Sequence, residues 1–148
     1  TASHRLDLRL LPGLKNKMHS VLPLLMEELQ ISDLYYVGKQ QIMHAVRNPA
    51  MAEPVRDLER LLQSDDLYAN NNLEDAEKRS PEFYGVLAKM EVETFCAVRI
   101  RWNMETDGYL IVAEARNRRI WQEAECGILF FLTKMIAASI RADGGSLE

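Results

Sequence analysis

The stretch that most limits how this chain can fold runs from residue 92 to residue 142. Residues 93–102 are rich in β-branched and aromatic side chains, and 109–115 form a second apolar run of strand length. Between them, 103–108 supply turn chemistry with Asn103, Asp107 and Gly108. Two such runs joined by a short polar loop predict an antiparallel hairpin. The pattern then turns helical over 121–142, and no Gly or Pro interrupts 128–142. Cys126, Leu129, Thr133, Ile136 and Ile140 fall on one stripe of that helix, and Ile128, Leu132 and Met135 on a second. A helix that is apolar on two faces is buried on two sides. One side takes the sheet, and the other needs a partner.

The rest of the chain supplies what the hairpin must pack against. Leu14, Met18, Val21, Leu22, Leu25, Met26 and Leu29 recur at helical spacing over 14–30, with Pro23 inside the pattern and a kink expected there. Residues 34–37 and 41–47 read as strands around Gly38. Pro54 is expected to open a short helix through Leu62, and 65–69 are a brief strand candidate. Residues 70–72 are turn chemistry with Asn72 as a cap, and the charged segment 73–80 reads as a solvated surface. Ser80 and Pro81 mark a helix start, with Phe83, Val86, Leu87 and Met90 facing inward. The order helix, hairpin, helices, hairpin, helix is an α+β pattern. It predicts a central antiparallel sheet of five or six strands. The N- and C-terminal helices would lie on one face, and the connecting helices and loops of 52–92 on the other. Residues 5–11 alternate with period two, so their conformation stays open.

At 148 residues the chain is one domain of ordinary size, organised as a tail over 1–13, a folded unit over 14–142 and a short tail over 143–148. The final Leu147 and Glu148 read as a cloning remnant. A net charge of −4 gives no basic footprint, which argues against nucleic acid as a partner. No apolar run approaches the roughly 20 residues that span a bilayer, and no signal peptide opens the sequence, so no membrane contact is expected from this segment. Two cysteines make no disulfide framework and point to a reducing, cytoplasmic setting.

Catalytic and metal chemistry find little support. Cys96 sits in a strand and Cys126 in the last helix, where unpaired thiols behave as small hydrophobes. Arg99 and Arg101 alternate to the strand face opposite Cys96, so no sequence-near cation activates it. His4, His19 and His44 are scattered without metal-ligand spacing. Neither a phosphate loop nor an assignable Ser–His–Asp arrangement is present. No catalytic or metal residue is assigned, and no cofactor is named. Arg99 has two readings, an ion pair with Glu114 on the neighbouring strand or a contact to a bound anion.

Residues 90–100 with Met90, Phe95 and Arg99, the turn, the run from Gly108 to Ala113, and the sequence Arg119, Ile120, Trp121 and Gln122 before a hydrophobic helix together resemble the C-terminal half of a GAF domain. The segment 70–90 resembles the one that leads into this hairpin in GAF domains upstream of bacterial diguanylate cyclase (GGDEF) domains. The resemblance spans 14–142. It implies a regulatory domain cut from a bacterial signalling protein, with a diguanylate cyclase as effector after Ala142 and a ligand pocket on the face opposite the terminal helices. The aromatic and polar residues expected there are Tyr68, Asn70, Phe83, Tyr84, Phe95, Arg99 and Arg101. Departures are equally plain. Family members commonly carry Pro at the position of Arg99 and often Asp near Ala113. The Asn–Lys–Phe–Asp–Glu signature of cyclic-nucleotide binders is absent, as are the bilin-attachment context and the cysteines of GAF-fold methionine sulfoxide reductases in the loop before the hairpin. Homodimerisation through the terminal helices is expected, with Ile128, Phe131, Leu132 and Met135 at the contact. Three alternatives are a ligand-free dimerisation and spacer module, a thiol-based reductase and a stand-alone binding protein.

Overall fold

The computed structural model describes residues 14–70, 73–115 and 120–143. The readings of 5–11, of Asn72 as a cap and of the terminal tails lie outside these residues, apart from Asp143. The hairpin is the centre of the molecule. Strands β5 (Thr94–Trp102) and β6 (Glu105–Glu114) pair in a register that sets Phe95 opposite Ala113 and Arg99 opposite Tyr109. Strand β1 (Asp33–Val37) pairs with the other edge of β6, β2 (Ile42–Ala45) with β1, and β3 (Ala52–Pro54) with β2. Strand β4 (Leu67–Asn70) pairs with β5. The result is a six-stranded antiparallel sheet in the order β3-β2-β1-β6-β5-β4.

Side-chain alternation divides the core in two. Cys96, Val98, Ile100, Leu110 and Val112 face helices α1 (Leu14–Leu29) and α5 (Glu123–Asp143). Phe95, Ala97, Tyr109, Ile111 and Ala113 face the connecting layer of α2 (Leu58–Leu62), α3 (Leu73–Arg79) and α4 (Pro81–Lys89). The arrangement matches the expected α+β layering. It explains why β5 and β6 read as nearly continuous apolar runs, since both of their faces are covered.

Several local expectations are corrected. The turn at 103–108 shrinks to Asn103 and Met104. Trp102 pairs with Glu105, and Asn103 takes φ 54°, a left-handed conformation that Asn tolerates. A register shift between Ile100 and Arg101 absorbs the remainder. Pro54 ends edge strand β3 instead of opening a helix, because an edge strand tolerates a residue without an amide donor. Residues 73–79 do form a helix, with Ala76 buried. Glu74 and Asp75 lie in its first turn and Lys78 and Arg79 in its last, and Asp75 and Arg79 pair at 3.1 Å. Helix α1 holds Pro23 inside its length, as the sequence places it.

The start of α4 is capped from a distance. Ser80 occupies the expected position, yet its Oγ donates to the Asp57 carbonyl at 2.7 Å. The Asp57 carboxylate instead accepts from the amides of Glu82 at 2.9 Å and Phe83 at 3.3 Å. This ties α4 to the residue just before α2. Asp57→Ala is expected to lower unfolding stability by about 1 kcal/mol, the usual worth of a helix cap, measured by urea denaturation. An unchanged midpoint would remove Asp57 as the cap.

Candidate functional site

The connecting face gathers most of the residues expected to line a pocket, and it packs them against one another. Phe83 of α4 meets Phe95 of β5 edge-on at 5.2 Å, and Tyr68 of β4 stacks on Phe95 at 5.7 Å. Arg79 lies 5.0 Å over the Tyr68 ring, and the Tyr68 hydroxyl donates to Asp75. Phe83 and Phe95 are fully buried, and Tyr84 is half-buried on α4. Asn70 pairs with Phe95 through the β4–β5 register.

Arg99 is the other half of this layer, and its partners were not visible in sequence. The residue is 2% exposed. Its Nη1 donates to the Asp65 carbonyl at 2.6 Å and to Asp66 Oδ1 at 3.2 Å. Its Nη2 donates to Glu59 Oε2 and to the Gln63 carbonyl, both at 2.9 Å. Tyr109, opposite Arg99 in the register, donates its hydroxyl to Glu59. Burial, followed by the neighbouring Glu59, pushes the Tyr109 phenol well above its ordinary pKa. Arg101, a third exposed, lies 3.5 Å from Asp66.

The Arg99–Glu114 pair is not formed. Glu114 stands opposite Thr94 at the far end of the hairpin, one residue out of phase with the Arg99 face, and accepts from Ser32. Arg99 is thus a strut from the sheet to α2 and the 63–66 loop. The one sequence hint was the acidic pair Asp65 and Asp66, which carries no register information.

On the opposite face Cys96 is buried and neighbours Cys126. Burial, then Cys126, pushes the Cys96 thiol far up, away from the thiolate that nucleophilic chemistry needs. Among the described residues no group of three His, Cys, Asp or Glu side chains could hold a metal ion.

Open space lies elsewhere. A cavity of about 280 Å³ on the connecting face sits where β1 begins and β6 ends, lined by Asp33, Tyr35, Met51, Met90, Val92 and Ala113 among others. Burial raises the Asp33 carboxyl above its ordinary pKa, against the lowering effects of the Leu34 amide at 2.8 Å, Tyr35 and Arg47. A second, more open cavity of about 400 Å³ lies between α1 and the end of β2, with Pro23, Met26, Ile31, Val46 and Arg47 in its wall.

Helix α5 presents a separate surface. Leu129, Leu132, Ile136 and Ala137 are buried in the helix-side core. Leu132, expected at a dimer contact, is only 3% exposed, because it lies on the same stripe as Leu129 and Ile136. Ile128 is 40% exposed and Phe131 61%, while Met135 packs half-buried at the edge of the core. Ala124, Ile128, Phe131, Met135, Ala138 and Ala142 follow one another at spacings of 4, 3, 4, 3 and 4. Apart from Met135 all are exposed. Near its end α5 is held to the hairpin tip. Arg141 reaches Asp107 at 3.2 Å and Glu105 at 3.1 Å, and lies 5.6 Å over the Trp102 ring.

Replacing Arg99 by Met leaves the Gln63 and Asp65 carbonyls without their donor. It is expected to cost at least about 2 kcal/mol in a urea titration, while Glu59→Gln, at an exposed partner, costs clearly less. Equal effects would contradict the strut. Asp33 behaves oppositely. Its folded-state pKa is raised, so the folded state holds the proton more tightly, and stability falls as pH rises through the interval between the unfolded and folded values. Asp33→Asn is therefore expected to be at least as stable as the parent at pH 7. Its advantage should vanish at pH values below the unfolded carboxyl pKa, as read by thermal unfolding at two pH values.

No protein-family model matches the chain, and no curated protein is similar enough in sequence to match it. Solved structures do match. The GAF domain of an Acinetobacter phosphoenolpyruvate-protein phosphotransferase superposes with a TM-score of 0.75 at 13% identity, over 99% of this chain and 95% of that one. A far-red absorbing protein with bound biliverdin IXa gives a TM-score of 0.72 at 15% identity, over 98% and 100%. A GAF domain/HD domain protein from Geobacter sulfurreducens gives 0.69 at 13%, over 93% and 99%. At such identities the likeness is one of architecture: six antiparallel strands between a terminal-helix layer and a connecting layer, the fold of GAF domains.

Proposed function

We propose that this domain is a regulatory module of a bacterial signalling protein, acting through the geometry of a homodimer paired along α5. The observation that carries this reading is the exposed seam from Ala124 to Ala142. Its spacing of alternating fours and threes is that of helices which pair side by side, and all of its residues but Met135, at the edge of the core, are exposed. A second copy of the chain is the natural occupant, since a single apolar seam with alanines at its ends and Phe131 near its middle is self-complementary about a twofold axis. A parallel pair would bring both chain exits together after Asp143, which suits an effector that works as a dimer. We assign that effector as a diguanylate cyclase, on the resemblance of residues 70–90 to the corresponding segment upstream of such enzymes. The domain itself catalyses nothing in this reading, with Cys96 sealed in the core. It acts in the cytoplasm. No helix of the described residues is long and apolar enough to cross a membrane.

The packed cluster of Tyr68, Phe83, Phe95 and Arg99 favours one refinement. These side chains pack against one another in the region where the resemblance puts a ligand, which supports reading them as a wall of the domain. A module whose only output is dimer geometry fits that packing equally well. A ligand, if it is to act, must bind the paired geometries with different affinity.

Sedimentation equilibrium at micromolar concentration tests the pairing. The parent domain is expected to be a dimer. Phe131→Glu removes the largest exposed group of the seam, worth about 1.5–3 kcal/mol on burial, and should weaken association by roughly tenfold or more. Because Phe131 is exposed, the monomer should keep its fold and unfolding midpoint. A parent that sediments as a monomer overturns the reading.

A further inference from the structure

We propose that the cavity between the start of β1 and the end of β6 is a binding site for a small organic ammonium ion with an apolar body. The proposal rests on the composition of the wall. Among the described residues Asp33 is the one charged side chain lining the cavity, and no Lys, Arg or His of those residues joins it there. Arg47, whose field reaches Asp33, lines the other cavity, and its side chain is exposed. Along the described wall an anionic ligand would therefore meet a carboxylate and no cation, which disfavours a phosphate against it. A cation meets a carboxylate that the fold has partly stripped of water.

The Asp33 carboxylate keeps room for such a partner. Its oxygens offer about four acceptor positions. The Leu34 amide takes one at 2.8 Å, and hydrogen bonds with the Tyr35 hydroxyl and the Arg47 backbone occupy others. These contacts also fix where the carboxylate points. An ammonium group supplies a further donor and brings a positive charge to a half-buried carboxylate.

The rest of the wall selects the body of the ligand. Met51, Met90, Val92, Ala45 and Ala113 are apolar, and the two methionine side chains adapt to different shapes. At about 280 Å³ the cavity falls at the lower edge of the usual range for small-molecule sites, about 300–1,000 Å³. It suits a single aromatic or short aliphatic group carrying one amine. Ala113 in its wall lies near the end of β6 and Ala115 just beyond it, and β6 is the strand that precedes α5 in the chain. That binding would bias the paired helices rests on the regulatory reading above; that it occurs does not.

Amide NMR titration of the domain with 2-phenylethylammonium, neutral 2-phenylethanol and anionic phenylacetate at pH 7 tests the site. Saturable shifts at Leu34, Val92 and Ala113 are expected with the ammonium ion, weaker ones with the alcohol and none with the acid. Asp33→Asn keeps the side-chain volume and an acceptor for the Leu34 amide, and should weaken ammonium binding at least tenfold in a fold that stays intact. Absence of saturable shifts up to millimolar ammonium overturns the proposal. So does phenylacetate binding equal to that of the amine, or ammonium binding unchanged in Asp33→Asn. Sedimentation of the same samples reads the pairing of α5 independently, so a failed titration and a failed dimer are told apart.

Discussion

The pairing of β5 with β6 is the constraint from which the rest of the molecule follows. From Thr94 to Ile100 and from Asp107 to Glu114 every residue of the two strands is buried. A strand pair that is apolar on both faces cannot stand at a surface, so each face demands a cover. The cover on one side is a pair of long helices, and on the other a series of short elements. Helix α5 follows β6 and lies against its partner β5, while α1 lies beside α5 on the same face. The connecting face is harder to seal. Helices of 5, 7 and 9 residues must do it, and none is long enough to be stable alone.

Polar anchors solve that problem. Asp57 caps α4 across the layer, and Arg99 projects from the sheet to gather Glu59 and the 63–66 loop. Burying a guanidinium is costly unless its donors are met. Here two carboxylates and two carbonyls meet the Nη donors, the buried Nε is left without a partner among the described residues, and Tyr109 adds its hydroxyl to the same Glu59. The anchor that secures the short helices also fills the space over this part of the sheet. Structure and vacancy compete for the same face, and the vacancy is displaced toward the Asp33 end, where the wall comes from the β1 start, the 48–51 loop, Met90, Val92 and the end of β6.

This division explains what could be read from the sequence. Periodicity reports burial, so the hairpin, both long helices and the layer order were legible, as was the outward turn of Ile128 and Phe131. Strand alternation correctly separated Cys96 from Phe95, Arg99 and Arg101. Partners are a different matter. Arg99 has its ligands 33 to 40 positions away, on a loop and a short helix whose placement no local pattern encodes. Register decided against Glu114, because five residues along the hairpin separate it from the level of Arg99 and put it on the other face. Leu132 was misplaced for a smaller reason. It is i+3 from Leu129 and i−4 from Ile136, so a stripe wide enough for a globular core includes it, whereas a narrow seam leaves it out. Pro54 has two lawful positions, the first turn of a helix and an edge strand, and only the neighbouring β2 chooses between them.

The last turn of α5 shows how a sheet and an exit helix can be made to move together. Arg141 bridges Asp107 and Glu105 and covers Trp102, all at the tip of the β5–β6 hairpin. Lys39, from the turn between β1 and β2, joins Glu105 and lies 3.9 Å from Asp107. Asp107 is buried, so its charge is screened little by solvent and holds Arg141 more firmly than a surface pair would. Two hairpin ends and a helix terminus therefore share one set of charges. The exposed seam of α5 lies on the same helix, and Arg141 is next to Ala142 at the end of that seam. A shift in the relative positions of β1 and β6 changes the distances within this cluster, and the helix end must follow or lose its ion pairs. The core stripe from Leu129 to Ile136 holds the middle of α5 to the sheet by apolar packing, which tolerates small slides. The charged cluster at its end does not, because such pairs weaken as their geometry opens. The end of α5 is thus held by two contacts, the apolar packing beneath the helix and the charged cluster at the hairpin tip.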